Sequence, residues 1–195
     1  MTTPLTFASP DFRSLHDART YLSLEEHDLL LDTPPENHSH NGVYWKDSVF
    51  SGIYQADSVT FGTIAEKITR RVFESRGYPT CDRSSSQHDF ILVESGDKIE
   101  VKASRIDHEG KININHVRPT YDYDLLVLAV FFPTNQIDYF IFPEYTDVNQ
   151  HNVWSYFRKQ HSYADGRKRD TSDLFARRIP IYNLKSIYAF SAIIE

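Results

Sequence analysis

Asp89-Phe-Ile-Leu-Val-Glu-Ser-Gly-Asp-Lys-Ile-Glu-Val-Lys102 is the stretch whose reading decides the fold. An apolar strand opens on a carboxylate. A turn over Glu94-Ser95-Gly96-Asp97 follows, and a second strand carries Glu100 and Lys102. Side chains alternate across a strand, so Glu100 and Lys102 share one face while Ile99, Val101 and Ala103 share the other. A hairpin that buries one face and gathers Asp, Glu and Lys on the other has the groups needed to hold a divalent metal beside a reacting phosphate. The mundane reading of these residues is a strand-initiating Asp and a salt-linked Glu–Lys pair on an exposed strand, worth little energetically. Average residue usage gives roughly one chance match to Asp…Glu-x-Lys in a chain of this length. The surroundings must therefore decide.

Working outward, a helix is expected over Thr63–Arg76. Phe61, Ile64, Ala65, Ile68 and Val72 form one apolar stripe. Thr63 with Glu66 has the spacing of a capping box, and Gly77 followed by Pro79 supplies the stop. Glu66 is thus open to two roles, helix cap or site carboxylate. Tyr78–Asp82 reads as a short strand and the Ser84–Ser86 run as a loop leading into Asp89. On the other side, Lys111–Pro119 alternates at Ile112 and Ile114 and then turns ambiguous. Leu125–Phe132 is a continuous apolar run, the mark of a buried central strand. Asp138–Phe142 is the next strand. Ile187–Ile194 reads as a strand or helix, Val148–Gln160 as a helix, and residues 9–31 as a helix on mixed three- and four-residue apolar spacing. Residues 36–60 read as a long loop or short strands. Ser104 faces either way and is left without a role.

The order helix, strand, hairpin, strand resembles the PD-(D/E)xK nuclease superfamily, the fold of most type II restriction endonucleases. The resemblance covers roughly Phe61 to Pro143. Gly62-Thr-Ile-Ala-Glu66 leading to Gly77-Tyr78 is similar to a helix often found in the family. Lys111-Ile-Asn-Ile-Asn-His-Val-Arg-Pro119 and Tyr121-Asp-Tyr-Asp-Leu-Leu-Val-Leu-Ala-Val130 are similar to segments of some restriction-type members. His88 stands where the family motif has Pro. The resemblance implies an α/β fold, a restriction-endonuclease-like core with a mixed central β-sheet flanked by helices. It implies catalytic Asp89, Glu100, Lys102 and Glu66, with Mg²⁺ held by Asp89, Glu100 and the Val101 carbonyl. Lys102 would orient the attacking water or neutralise developing charge.

Composition sets the limits. The 195 residues suit one domain, divided in expectation into an N-terminal helical and loop extension (1–60), the catalytic core (61–143) and a C-terminal recognition or dimerisation addition (144–195). A single cysteine, Cys81, excludes an internal disulfide and a Cys-based zinc site, and a small core residue is its expected role. No apolar run approaches the ~20 residues of a membrane helix, and the first residues lack a signal-peptide pattern, so a cytoplasmic protein is expected. The net charge of −6 leaves nucleic-acid binding to local basic patches. His116, Arg118, Arg167, Lys168 and Arg169 are the expected contacts to double-stranded DNA, for phosphate positioning or base reading. The fullest expectation is a type II restriction endonuclease acting as a homodimer, with a DNA methyltransferase as genetic partner. A structure-specific repair nuclease, or a DNA-binding relative that no longer cleaves, are the alternatives.

Overall fold

The computed structural model describes residues 19–23, 45–114, 121–143, 177–180 and 188–194. The fold is α/β. Nine strands and two helices are used below, labelled in chain order: β1 (Arg19–Leu22), α1 (Ser51–Gln55), α2 (Ser58–Ser75), β2 (Thr80–Asp82), β3 (Phe90–Leu92), β4 (Lys98–Arg105), β5 (Lys111–Ile114), β6 (Leu125–Phe131), β7 (Gln136–Pro143), β8 (Arg177–Pro180) and β9 (Tyr188–Ile194).

The apolar run Leu125–Phe131 becomes β6, buried at every position. That is possible because both faces of the sheet are covered. Leu125, Val127, Ala129 and Phe131 pack into one core with Ile64, Ile68 and Phe73 of α2. Leu126, Leu128 and Val130 pack into a second with Ile112 and Ile114 of β5. The main sheet is mixed, with strand order β1-β9-β7-β6-β4-β3-β2. β4 runs parallel to β6, while β6–β7, β7–β9, β3–β4 and β2–β3 are antiparallel. A two-stranded antiparallel ribbon, β5–β8, covers the second face. β1 and β9 pair in parallel at one side of the main sheet, so the sheet draws strands from beyond both ends of residues 61–143.

α2 begins earlier than expected. Asp57 caps it, its carboxylate accepting from the Val59 and Thr60 N–H groups at 2.8 and 3.0 Å. Thr63 lies a turn inside, its hydroxyl donating to the Val59 carbonyl at 3.2 Å. The capping box expected of Thr63 and Glu66 therefore does not form, because Asp57 already satisfies the orphan amides. The stop is where glycine is needed: Gly77 sits at φ +84°, a left-handed conformation that disfavours other residues.

Three further expectations are corrected. Residues 19–22, expected in a helix over 9–31, are a strand, because β9 offers them a parallel partner. The long loop or short strands expected over 36–60 are replaced, in the described residues from 45 on, by α1 and the start of α2. Cys81 is exposed, because β2 is a short edge strand. Ile187–Ile194 resolves in favour of a strand, β9. The helix expected over Val148–Gln160 lies outside the described residues. No described helix is long and apolar enough to cross a membrane.

Candidate active site

The hairpin forms as its alternation requires, then forks. β3 pairs with β4 at Phe90↔Ile99 and Ile91↔Lys98. One residue before the strand, the Asp89 N–H donates to the Ile99 carbonyl at 2.7 Å. The Asp89 side chain then replaces the departing backbone: its Oδ2 accepts from the Val101 N–H at 2.7 Å. β4 thus keeps β6 on one side and has a carboxylate where its β3 partner ends. Backbone N–H and C=O of one strand residue point to the same side, so the Val101 carbonyl lies along this opened edge with Asp89.

The faces follow from register. Phe90 and Ile99 both enter the helix-side core, which leaves Asp89 on the face of Glu100, Lys102 and Ser104. Glu100 is buried, and the Lys102 ammonium forms an ion pair with its Oε1. The pair is not the exposed, weakly coupled type, because both side chains are mostly out of water. Glu66 approaches from α2 across the edge. Burial, and then the negative charge of Asp89, push its carboxyl up to about 7, with Glu100 adding to this and Lys102 and Arg83 opposing it. Burial also raises Asp89 above the usual carboxylate range, against the Val101 N–H and the Lys102 charge. Glu66 therefore lies within the fields of Asp89, Lys102 and Glu100, and Asp89 within that of Lys102.

Glu66 and Lys102 line a groove of about 460 Å³. Its helix wall includes Ser58, Gly62 and Glu66, and its strand wall runs from Val101 to Ile106, with Asp107 and Asn113 beyond. Arg105 braces it. The guanidinium donates to the Ile53 and Ala56 carbonyls at 2.7 and 2.9 Å, tying α1 to β4. It lies 3.9 Å from the Phe61 ring centroid, and burial pulls it down to about 10. Ser104 now has a role, its buried hydroxyl accepting from the Asn113 N–H at 2.9 Å and joining β4 to the β5–β8 ribbon.

His88 anchors the loop ahead of Asp89. It is 1% exposed. Its Nε2 accepts from the Ser84 N–H at 3.2 Å, which puts the ring proton on Nδ1, 3.2 Å from the Asp122 carbonyl oxygen that accepts it. Lys98 completes the tie: its N–H donates to Asp124 Oδ2 at 2.8 Å and its ammonium pairs with Asp122 at 2.6 Å.

Sequence reasoning grouped Asp89, Glu100 and Lys102 and left Glu66 between a helix cap and a site carboxylate; the register puts Asp89 on the face of Glu100 and Lys102, and Glu66 feels their charges from α2. Sequence reasoning missed Arg105 and His88. Alternation alone could have found Arg105, since it shares a face with Ile99, Val101 and Ala103 and so must meet α2. His116, Arg118, Arg167, Lys168 and Arg169 lie outside the described residues. Among the described residues, no three His, Cys, Asp or Glu side chains converge to hold a metal ion. The donors here are two carboxylates, Asp89 and Glu100, with a backbone carbonyl. That suits a hard ion which keeps several waters and suits a closed protein cage poorly.

No family model matches the chain, and no curated protein matches it. Among solved structures, a bacterial homing endonuclease is similar at 17% identity with a TM-score of 0.36, over 52% of this chain and 85% of that one. A likeness of that size decides neither fold nor activity.

Proposed function

We propose that the chain is a Mg²⁺-dependent DNA endonuclease, of the type II restriction class. The observation that carries this reading is the fork at Asp89. A carboxylate that takes over the Val101 N–H where β3 leaves β4 brings Asp89, Glu100, Lys102 and the Val101 carbonyl to one edge. Phosphodiester hydrolysis needs hard oxygen donors, a cation beside the developing negative charge, and a group able to take a proton. The site offers each of these.

Asp89, Glu100 and the Val101 carbonyl are the residues that would hold Mg²⁺. When bound, the ion supplies a Lewis acid for the phosphoryl oxygen and lowers the pKa of a coordinated water. Lys102 already balances the Glu100 charge, so its ammonium is positioned beside the oxygens where charge develops. Glu66, with its carboxyl raised to about 7, is suited to exchanging a proton near neutral pH. The Asp89 Oδ2 bond to Val101 holds that carboxylate in place before substrate arrives. The restriction reading also entails a homodimer on a palindromic site and a DNA methyltransferase of the same specificity.

Plasmid and phage DNA incubated with the protein in Mg²⁺, and in parallel in EDTA, test the reading. Discrete fragments formed only with the metal are expected. Cutting confined to branched or flapped substrates would transfer the site to a repair nuclease, and no cleavage of any DNA would overturn the enzyme reading. Lys102→Ala should abolish cleavage while DNA binding persists; full activity in that variant would remove the site assignment.

A further inference from the structure

Gly62 is out of place by the rules that govern helices. It lies inside α2, where glycine is a poor choice beside alanine. Its φ is not among the positive values found at Gly77, Gly96 and Gly110. Among the described residues, a methyl group built on its Cα meets no atom of another element within 4 Å. Neither backbone conformation nor packing among the described residues therefore calls for glycine here. What Gly62 does face is the groove. Ser58, Gly62 and Glu66 are spaced by four, one face of the helix, and all three line that wall. The wall is low at Ser58 and Gly62 and rises to a carboxylate only at the candidate catalytic end.

We infer that the Ser58–Gly62 stretch of α2 is the seat of the sugar–phosphate backbone of the strand being cut, which passes between α2 and the opened edge of β4 towards Asp89 and Lys102. The inference rests on the nuclease reading above and gives it a substrate path. A polyanionic backbone needs clearance on one side and cations on the other. The clearance is the missing side chain at Gly62. The strand wall carries the charges of Lys102, which is paired with Glu100, and of Arg105, which is held by the Ile53 and Ala56 carbonyls. Asp107, at the far end, has its Oδ1 occupied by the Glu109 and Lys111 N–H groups at 2.8 and 3.0 Å, which ties it into its own turn.

The test sets stability against activity across Gly62→Ala, Gly62→Val and Gly62→Leu in the full chain. Thermal melts are compared with Mg²⁺-dependent cleavage of linear duplex DNA and with binding of a labelled duplex. Gly62→Ala should melt about 1–4 °C higher, the gain expected for a helix-interior glycine in a chain of this size. Cleavage efficiency should fall with side-chain volume, modestly for Ala and about tenfold or more for Leu, mainly through weaker duplex binding. A raised melting point with unchanged cleavage throughout the series would overturn the inference and leave the nuclease reading standing. A lowered melting point in Gly62→Ala would overturn it too, by showing that packing demands the glycine. A parent protein that neither binds nor cuts duplex DNA would overturn the nuclease reading, and the inference with it.

Discussion

Glu66 is the residue in which fold and chemistry pull hardest against each other. Its carboxyl is partly buried beside Asp89 and Glu100, which raises its folded pKa to about 7 from an ordinary value near 4.5. A carboxyl whose folded pKa lies above its unfolded one contributes most stability when protonated. That contribution is fully present below the unfolded value and is lost as pH rises through the folded one. Glu66→Gln removes the penalty of ionisation. The variant should melt close to the parent at pH 4.5 and above it at pH 8, the gap opening between those values. Allowing for partial exposure, the gain is on the order of 1–2 kcal/mol. Thermal melts at pH 4.5, 6 and 8 check this, and a gap that stays constant with pH would sink it. The shared face of Glu100 and Lys102 was legible in the sequence from strand alternation, and Asp89 joins it through the β3–β4 register. The state of Glu66 was not legible, since it depends on which charges meet it across the sheet edge.

At the scale of elements, the coupling of the catalytic strand to the β5–β8 ribbon passes through Ser104. It shares a face with Glu100 and Lys102, and its hydroxyl accepts the Asn113 N–H. Ser104→Ala removes that acceptor, at a cost of about 1 kcal/mol. Urea denaturation should show the loss, and hydrogen exchange at the Asn113 amide should quicken while the amides of β6 stay protected. Equal protection at Asn113 in parent and variant would mean that β5 is held by other contacts. Element types were readable wherever local rules decide: the buried run of β6, the Gly96 turn, the Gly77 stop. They failed where two local signals compete or where the deciding partner is remote. Asp57 and Thr63 are both good caps six residues apart, and only the fold shows that Asp57 holds the Val59 and Thr60 amides. The apolar spacing around Tyr21 and Leu22 fits a helix, yet its strand partner β9 lies some 170 residues along the chain.

At the scale of the whole molecule, the sheet that carries the site is not closed by residues 61–143. β9 inserts between β7 and β1 and delivers Phe190, Ala192 and Ile194 to the core shared with α2. The Phe190 ring stacks on Tyr139 at 4.8 Å and meets Phe73 edge-on at 6.0 Å. The Arg76 guanidinium covers the same ring at 4.3 Å. Losing a buried Phe costs about 3–5 kcal/mol and a buried Ile about 2–5. Stripping β9 also leaves the N–H and C=O groups of β7 without their ladder from Gln136 to Ile141 and deprives β1 of its partner. Against a typical total of about 5–15 kcal/mol, these losses are enough to unfold a domain. A chain ending before Tyr188 should therefore lack a cooperative unfolding transition and near-ultraviolet dichroism from its aromatic core, although Asp89, Glu100 and Lys102 are all retained. A truncated chain that melts cooperatively and still binds duplex DNA would show instead that the sheet is self-sufficient at β7. In that case the strands contributed by the two ends are accessories to the site and not part of its support.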